Sequence, residues 1–137
     1  MTKSRKHGKD ESGTDVIIVG GGPAGMSALL WAHKLGLSAL LVEREADLGG
    51  QLHSIFNPIT DYPGRATRGG AEMLRWFKKS LGDVERSILT RTTVERIDVD
   101  KRELTLGSGR SIIAKSIILA MGVRRRLLNV PGESEVS

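Results

Sequence analysis

The chain has 137 residues and no cysteine, so one domain is expected and a disulfide, a thiolate metal site or a redox-active CxxC motif is excluded within it. The net charge of +5 lies in residues 1–14 and in the cluster Arg124–Arg126, whereas nucleic-acid binding needs a contiguous basic stripe. No apolar run reaches the length of a membrane span, and the N-terminus lacks the apolar stretch of a secretory signal. We therefore expect a cytoplasmic protein that binds neither nucleic acid nor a membrane, with the arginine cluster solvated.

The first third of the chain predicts a strand–helix–strand unit. Residues 1–14 are polar and without periodicity, and we expect a disordered tail there. Asp15–Val19 and Ser38–Val42 are short apolar runs, typical of strands that are buried on both faces. Between them, Pro23–Leu35 has helical spacing of its apolar residues, and Gly36 stands where a glycine commonly ends a helix.

The rest of the chain predicts a second helix and further strands. Residues 47–70 are rich in glycine and proline, which predicts a loop. Ala71–Leu81 is predicted to be an amphipathic helix ended by Gly82, with four inward side chains: Met73, Leu74, Phe77 and Leu81. Ser87–Thr90 is predicted to be a third parallel strand. Four more strands follow, of which the first three form a small antiparallel meander: Thr93–Val99, Glu103–Leu106, Ser111–Ala114 and Ser116–Ala120.

Strands that alternate with helices predict a parallel sheet with helices packed against it. The meander would replace one helical crossover. We therefore expect an α/β domain over residues 15–137, with a three-layer, Rossmann-like arrangement of parallel sheet, helices and antiparallel β-meander.

A glycine-rich turn, Gly20-Gly21-Gly22-Pro23-Ala24-Gly25, follows the first predicted strand. It has the GxGxxG pattern of a dinucleotide-binding turn. Gly20 permits the tight turn, Gly22 lets the backbone approach a pyrophosphate, and Gly25 lets the helix pack closely on the strand. Pro23 and Ala24 open the helix, whose N-terminus offers unpaired N–H groups to phosphate.

Glu43 ends the second predicted strand, 18 positions after Gly25. A carboxylate at this point can accept hydrogen bonds from the hydroxyls of an adenosine ribose, and it disfavours the 2′-phosphate of NADP. The alternative is a structural turn with a surface glutamate. These residues by themselves leave FAD and NAD open as ligands.

Four blocks in order give the chain a family resemblance. They are DVIIVGGGPAGMSALLWAHKLG followed by LLVERE, then LGGQL at 48–52, then ITDYPG at 59–64, and finally SIILAMG at 116–122 with NVPGE at 129–133. In these blocks the chain resembles thioredoxin-reductase-like flavoproteins of the pyridine nucleotide-disulfide oxidoreductases, which include ferredoxin–NADP reductases of the thioredoxin-reductase type. The resemblance implies FAD as the ligand of the glycine-rich turn.

The resemblance also implies roles for residues outside that turn. Gly50, Gln51 and Leu52 match the loop that contacts the cofactor between ribityl chain and flavin. Phe56 and Asp61 match positions near the flavin, and Asp61 stands where thioredoxin reductases commonly have asparagine. Val94 matches a position beside the adenine. Gly122 belongs to a match to the ATG motif in which Met121 replaces threonine. No residue is expected to be catalytic, His53 is interpreted as a loop histidine, and no metal is expected.

The resemblance implies the FAD-binding portion of an NAD(P)H-dependent oxidoreductase, without the NADPH-binding domain and the C-terminal FAD segment of full family members. Hydride would pass from NADPH to FAD, and electrons would then pass to a disulfide, an iron–sulfur protein or a flavodoxin. The expected partners are a redox protein or a second polypeptide that completes the fold, and a homodimer is one assembly the resemblance allows. The alternative function is a non-enzymatic FAD- or nucleotide-binding module.

Overall fold

The computed structural model describes residues 14–124, 126 and 130–131. The predicted tail lies outside these residues, except for Thr14, which begins the first strand. The last residues of the NVPGE block and part of the arginine cluster also lie outside them.

The predicted strand–helix–strand unit is confirmed as β1 (Thr14–Val19), α1 (Pro23–Lys34) and β2 (Ala39–Val42). The helix α1 ends one residue earlier than predicted. Gly36 has a φ of +74°, and its N–H donates to the carbonyl of His33 at 2.9 Å, while the N–H of Leu37 donates to the carbonyl of Ala32 at 3.0 Å. This pair of bonds is a Schellman motif, and it requires the left-handed backbone that glycine adopts without strain.

Among the described residues after position 69, the structure has one α-helix and four strands. They are α2 (Gly70–Leu81), β3 (Ile88–Leu89), β4 (Val94–Asp98), β5 (Glu103–Leu106) and β6 (Ser111–Leu119). The four side chains predicted to face inward from α2 are all buried. The region 47–70 has more order than predicted, because it contains a 3₁₀ helix over Gly50–Ser54 and a bridge between Ile59 and Thr67.

The six strands form one sheet in the order β3-β2-β1-β6-β5-β4. Strand β1 pairs in parallel with β2 and β6, and β2 pairs in parallel with β3. Strands β4, β5 and β6 pair antiparallel. The predicted parallel sheet with a meander as the connection between β3 and β6 is therefore confirmed.

The prediction of separate strands at Ser111–Ala114 and Ser116–Ala120 was wrong. Both belong to β6, whose first residues pair with β5 and whose later residues pair with β1. Lys115, which lies between them, is not a residue that favours turns. The pairing of β6 with β1 continues through it, since Thr14 pairs with Ala114 and Val16 pairs with Ser116. Strand β3 is shorter than predicted, because Ser87 ends a 3₁₀ helix that begins at Gly82.

Two apolar clusters give the domain its three layers. On one face of the parallel strands, Val16, Ile18 and Leu41 pack with buried side chains of α1 and α2. On the other face, Ile17 and Val19 pack with the meander. Adjacent β1 side chains thus point into the two cores on opposite faces of the sheet, which explains why every position from Val16 to Val19 is apolar and buried. No helix of the described part of the chain is long and apolar enough to span a membrane.

Candidate cofactor-binding site

The carboxyl ends of β1, β2 and β6 meet at one edge of the sheet. The N–H of Gly20 donates to the carbonyl of Val42 at 2.9 Å, and the N–H of Ala120 donates to the carbonyl of Val19 at 2.8 Å. In open α/β sheets, ligands bind at this edge. The glycine-rich turn, Glu43 and the AMG segment therefore lie at the same edge.

Three glycines of the turn differ in what a side chain would meet. Gly20 has a φ of +107°, and a Cβ atom there would overlap the carbonyl of Ala120. A Cβ atom on Gly25 would overlap the carbonyl of Gly20. Gly22 is different, since a Cβ atom there would meet no heavy atom within 4 Å. Gly20 and Gly25 are thus required by the fold, whereas Gly22 faces open space at the end of α1.

The N-terminus of α1 presents backbone N–H groups to that open space. Pro23 occupies the first turn, no side chain caps the helix, and no acidic residue lies in the first turn. The first bond of the helix runs from the N–H of Met26 to the carbonyl of Gly22, at 2.9 Å. The N–H groups of Ala24 and Gly25 precede that bond, so the positive end of the helix is suited to an anion.

Glu43 is buried, with 8% of its surface exposed, which excludes the alternative of a surface glutamate. Its Oε2 atom accepts the N–H of Gly21 at 2.5 Å, and its Oε1 atom accepts the N–H of Glu45 at 2.8 Å. An ionised carboxylate has about four acceptor positions, so Glu43 keeps capacity for hydroxyl donors. The carboxylate also orders the glycine-rich turn directly.

Gly21 stands at the first variable position of GxGxxG, and the pattern predicts no role for it. A Cβ atom there would press on the side chain of Leu48 and on the carboxylate of Glu43. The signal was the middle glycine of the GGG run, but its two contacts come from residues 22 and 27 positions away and are visible only in the fold.

The LGGQL loop packs against the glycine-rich turn. The N–H of Gly49 donates to the carbonyl of Gly21 at 2.9 Å. Gly50 has a φ of +52°, and a Cβ atom there would lie 3.3 Å from the Cα atom of Gly22. Leu52 is buried in the core beneath the loop. The structure therefore brings Gly50 next to Gly22, as a shared cofactor contact requires.

Gln51 connects this loop to the segment after β6. Its Nε2 atom donates to the carbonyl of Val123 at 2.7 Å, next to Gly122, which has a φ of +68°. A cleft of about 510 Å³ lies beside this bond and is lined in part by Ile55 and Arg124. Of the predicted contact residues, Gln51 lines this cleft, and Gly122 precedes the lining residue Val123.

The segment after β3 reaches the same edge from the other side. The N–H of Thr92 donates to the carbonyl of Glu43, and the N–H of Arg91 donates to the carbonyl of Glu45, both at 2.9 Å. Val94 follows and packs partly buried against the meander core. A cleft of about 610 Å³ borders this segment. Val94 thus lies two residues from a backbone bond to Glu43.

Phe56 and Asp61 are exposed residues of the segment that follows the LGGQL loop. The side chain of Phe56 is 87% exposed, and Asp61 is exposed at the start of the DYPG turn. That turn closes between Tyr62 and Arg65 with Gly64 at a φ of +80°, as expected for proline followed by glycine. The ring of Tyr62 packs edge-on against Trp76 and Phe77 of α2, so α2 supports this loop.

His53 lies in the 3₁₀ helix, where its Nε2 atom contacts the carbonyl of Leu48 at 3.0 Å. This contact gives the histidine a structural role. Among the residues that the structure describes, no group of histidine and acidic side chains is arranged to hold a metal ion.

The fold and the site together define a domain of the dinucleotide-binding class. The family model for pyridine nucleotide-disulphide oxidoreductases matches residues 14–137, and the chain belongs to that family. It is 37% identical to a thioredoxin reductase of Treponema pallidum over 91% of this chain and 40% of the relative. It is 33% identical to a ferredoxin–NADP reductase of Gluconacetobacter diazotrophicus over 80% of this chain and 33% of the relative.

Solved structures give the same result. The thioredoxin reductase of Lactococcus lactis superposes with a TM-score of 0.73 and 31% identity, covering 89% of this chain and 40% of that one. The chain therefore corresponds to the N-terminal part of thioredoxin-reductase-like proteins and spans at most about two fifths of the length of these relatives.

Proposed function

We propose that this chain is the FAD-binding portion of an NAD(P)H-dependent flavoprotein oxidoreductase of the thioredoxin-reductase-like class. The observation that carries the proposal is the contact between two glycine segments at the sheet edge. Gly50 of the LGGQL loop lies against Gly22 of the phosphate turn, beside the buried carboxylate of Glu43. A site for NAD needs the turn and the carboxylate, whereas a loop that continues past the pyrophosphate suits the longer FAD.

The arrangement supports one orientation of FAD. The pyrophosphate would face Gly22 and the N–H groups of Ala24 and Gly25, where a helix N-terminus favours negative charge. The ribose hydroxyls would donate to the remaining acceptor positions of Glu43, and the adenine would lie beside Val94. The flavin would then extend past Gly50 toward a second group of residues, namely Gln51, Leu52, Phe56, Asp61 and Gly122.

Bound FAD would supply the hydride and electron chemistry, and the chain would position it. In the whole protein, we propose that NADPH is the hydride donor and that a disulfide, an iron–sulfur protein or a flavodoxin receives the electrons. The names of the relatives, thioredoxin reductase and ferredoxin–NADP reductase, support the disulfide and the iron–sulfur protein among these three acceptors. We further propose a cytoplasmic location and a redox protein or completing polypeptide as partner.

The first experiment is a titration of the purified chain with FAD, followed by flavin fluorescence, with ADP added as competitor. We expect saturable binding that ADP displaces, because ADP shares the adenosine and pyrophosphate contacts. Binding that ADP leaves untouched would contradict the proposed orientation, and a chain that binds NADH but takes up no FAD would contradict the choice of cofactor.

The second experiment adds NADPH to the FAD-loaded chain without oxygen and follows the flavin absorbance. Bleaching supports a reductase that functions within this chain. Bound FAD that stays oxidised agrees with an FAD-binding portion and with the alternative of a non-enzymatic binding module, because neither needs an NADPH site within these residues.

A further inference from the structure

A lysine of α2 holds the segment that leads into the LGGQL loop. The Nζ atom of Lys78 donates to Oδ1 of Asp47 at 2.5 Å, and the same oxygen accepts the N–H of Leu48 at 2.9 Å. Oδ1 of Asp47 therefore links α2 to the backbone of Leu48, the residue before Gly49.

The residues that follow Asp47 contact the phosphate turn. The side chain of Leu48 is buried and lies against Gly21, and the N–H of Gly49 donates to the carbonyl of Gly21 at 2.9 Å. Gly50 then lies beside Gly22. A displacement of Asp47 would shift these contacts, because Leu48 is its direct neighbour. The loop also packs on α2 through Leu52 and Leu74, which share one core cluster, so the ion pair adds to an apolar contact.

We propose that Lys78 is a positioning residue for the cofactor, acting through Asp47 to hold residues 48–50 against the phosphate turn. This inference rests on the proposed function, because it concerns the same site. It differs from a direct electrostatic role, in which the ammonium group would attract the pyrophosphate without help from Asp47.

The electrostatics of the pair agree with an effect of limited size. The hydrogen bond from Lys78 lowers the pKa of Asp47, although partial burial opposes this. The side chains of Lys78 and Asp47 are 33% and 56% exposed, so water and salt screen the pair. Exposed pairs of this kind typically change an equilibrium by about two- to five-fold.

The test compares the FAD affinity of the chain with that of Lys78→Met, Asp47→Asn and the double variant. We expect each of the three to bind FAD about two- to five-fold more weakly at low salt, with a difference that shrinks at high salt. The double variant should be no weaker than either single variant, because both remove one interaction. Lys78→Arg should restore most of the affinity.

Lys79→Met is the matched control, since Lys79 is an exposed neighbour on the same helix and carries the same charge. An unchanged affinity for Lys79→Met supports the proposal. Equal losses for the two lysine variants, or unchanged affinity for Asp47→Asn, would show that Lys78 acts by charge alone and would overturn it.

Hydrogen exchange of residues 46–52 in the ligand-free chain gives a readout that does not depend on FAD. We expect faster exchange in Lys78→Met than in Lys79→Met, and equal exchange would overturn the positioning role. A wild-type chain that takes up no FAD would overturn the proposed function, and the exchange result would still decide whether Lys78 orders the loop.

Discussion

At the scale of single residues, Gly25 is needed for the fold, whereas Gly22 is needed for the proposed cofactor binding. A methyl group on Gly25 would overlap the carbonyl of Gly20, so the helix would have to move away from the strand. A methyl group on Gly22 would meet no atom of the chain. It would project into the space where the proposed pyrophosphate lies. The two substitutions add the same atom and should have different results.

We expect Gly25→Ala to lower the free energy of unfolding by about 2 kcal/mol or more, as overpacking of a closely packed contact does. Gly22→Ala should cost only about 1 kcal/mol, since alanine is a poorer N-cap than glycine but the φ of −74° and the free space at this position accommodate it. It should nevertheless weaken FAD binding by about 10- to 100-fold. Urea unfolding and FAD titration of both variants measure these effects. Tight FAD binding by a folded Gly22→Ala would place the pyrophosphate elsewhere.

The roles of Gly22 and Gly25 could be predicted from the sequence because they are local. The strand, the turn and the helix are consecutive in the chain, so the GxGxxG pattern alone indicates close helix–strand packing at Gly25 and a pyrophosphate contact at Gly22. The second task of Glu43 could not be predicted in the same way. Its bond to the N–H of Gly21 joins residues 22 positions apart, and it depends on how closely the ends of β1 and β2 approach each other.

At the scale of elements, Asp15 joins three strands at the end of the sheet opposite to the site. Its Oδ2 atom accepts the N–H and the hydroxyl of Ser38, both at 2.9 Å, just before β2. Its Oδ1 atom accepts Lys115 of β6 at 2.8 Å. These bonds, led by the one from Lys115, lower the pKa of Asp15 from 3.8 to about 2.

The lowered pKa predicts a dependence of stability on pH. Folding favours the charged form of Asp15, so its contribution is complete above about pH 4 and is lost as the pH falls toward 2. We expect Asp15→Asn to be less stable than the wild type at neutral pH, with a difference that shrinks as the pH falls through this range. Urea unfolding at a series of pH values measures the difference, and a constant difference down to pH 2 would contradict the assignment.

The elements and the meander connection could be predicted to within a few residues, but the continuity of β6 could not. Periodicity marks α2 because its buried residues recur at helical spacing. It could not show that residues 111–119 form one strand, because a strand that changes partners has two patterns of burial along its length. The Asp15–Lys115 contact spans 100 positions, and no local pattern predicts it.

At the scale of the whole molecule, the sheet has an open edge at the end of β6. Residues 116–119 pair with β1 on one side, and among the described residues no strand pairs with their other side. Ile118 is 39% exposed and Leu119 is 57% exposed, and these neighbours point to opposite faces of the sheet. Apolar side chains are therefore exposed on both faces of the sheet next to the unpaired edge of β6. Such an edge is a common site for pairing with a strand of another chain.

We expect the 137-residue chain to self-associate through this edge, because unpaired backbone groups next to exposed apolar side chains favour added strands. Ile118→Lys should reduce the association, since a lysine on an edge opposes further pairing. Val99→Lys is the matched control, because Val99 is 77% exposed but lies in the turn after β4. Sedimentation velocity over a range of protein concentrations distinguishes the three proteins. A wild type that stays monomeric throughout, or equal loss of association in both variants, would show that the edge of β6 is not the contact.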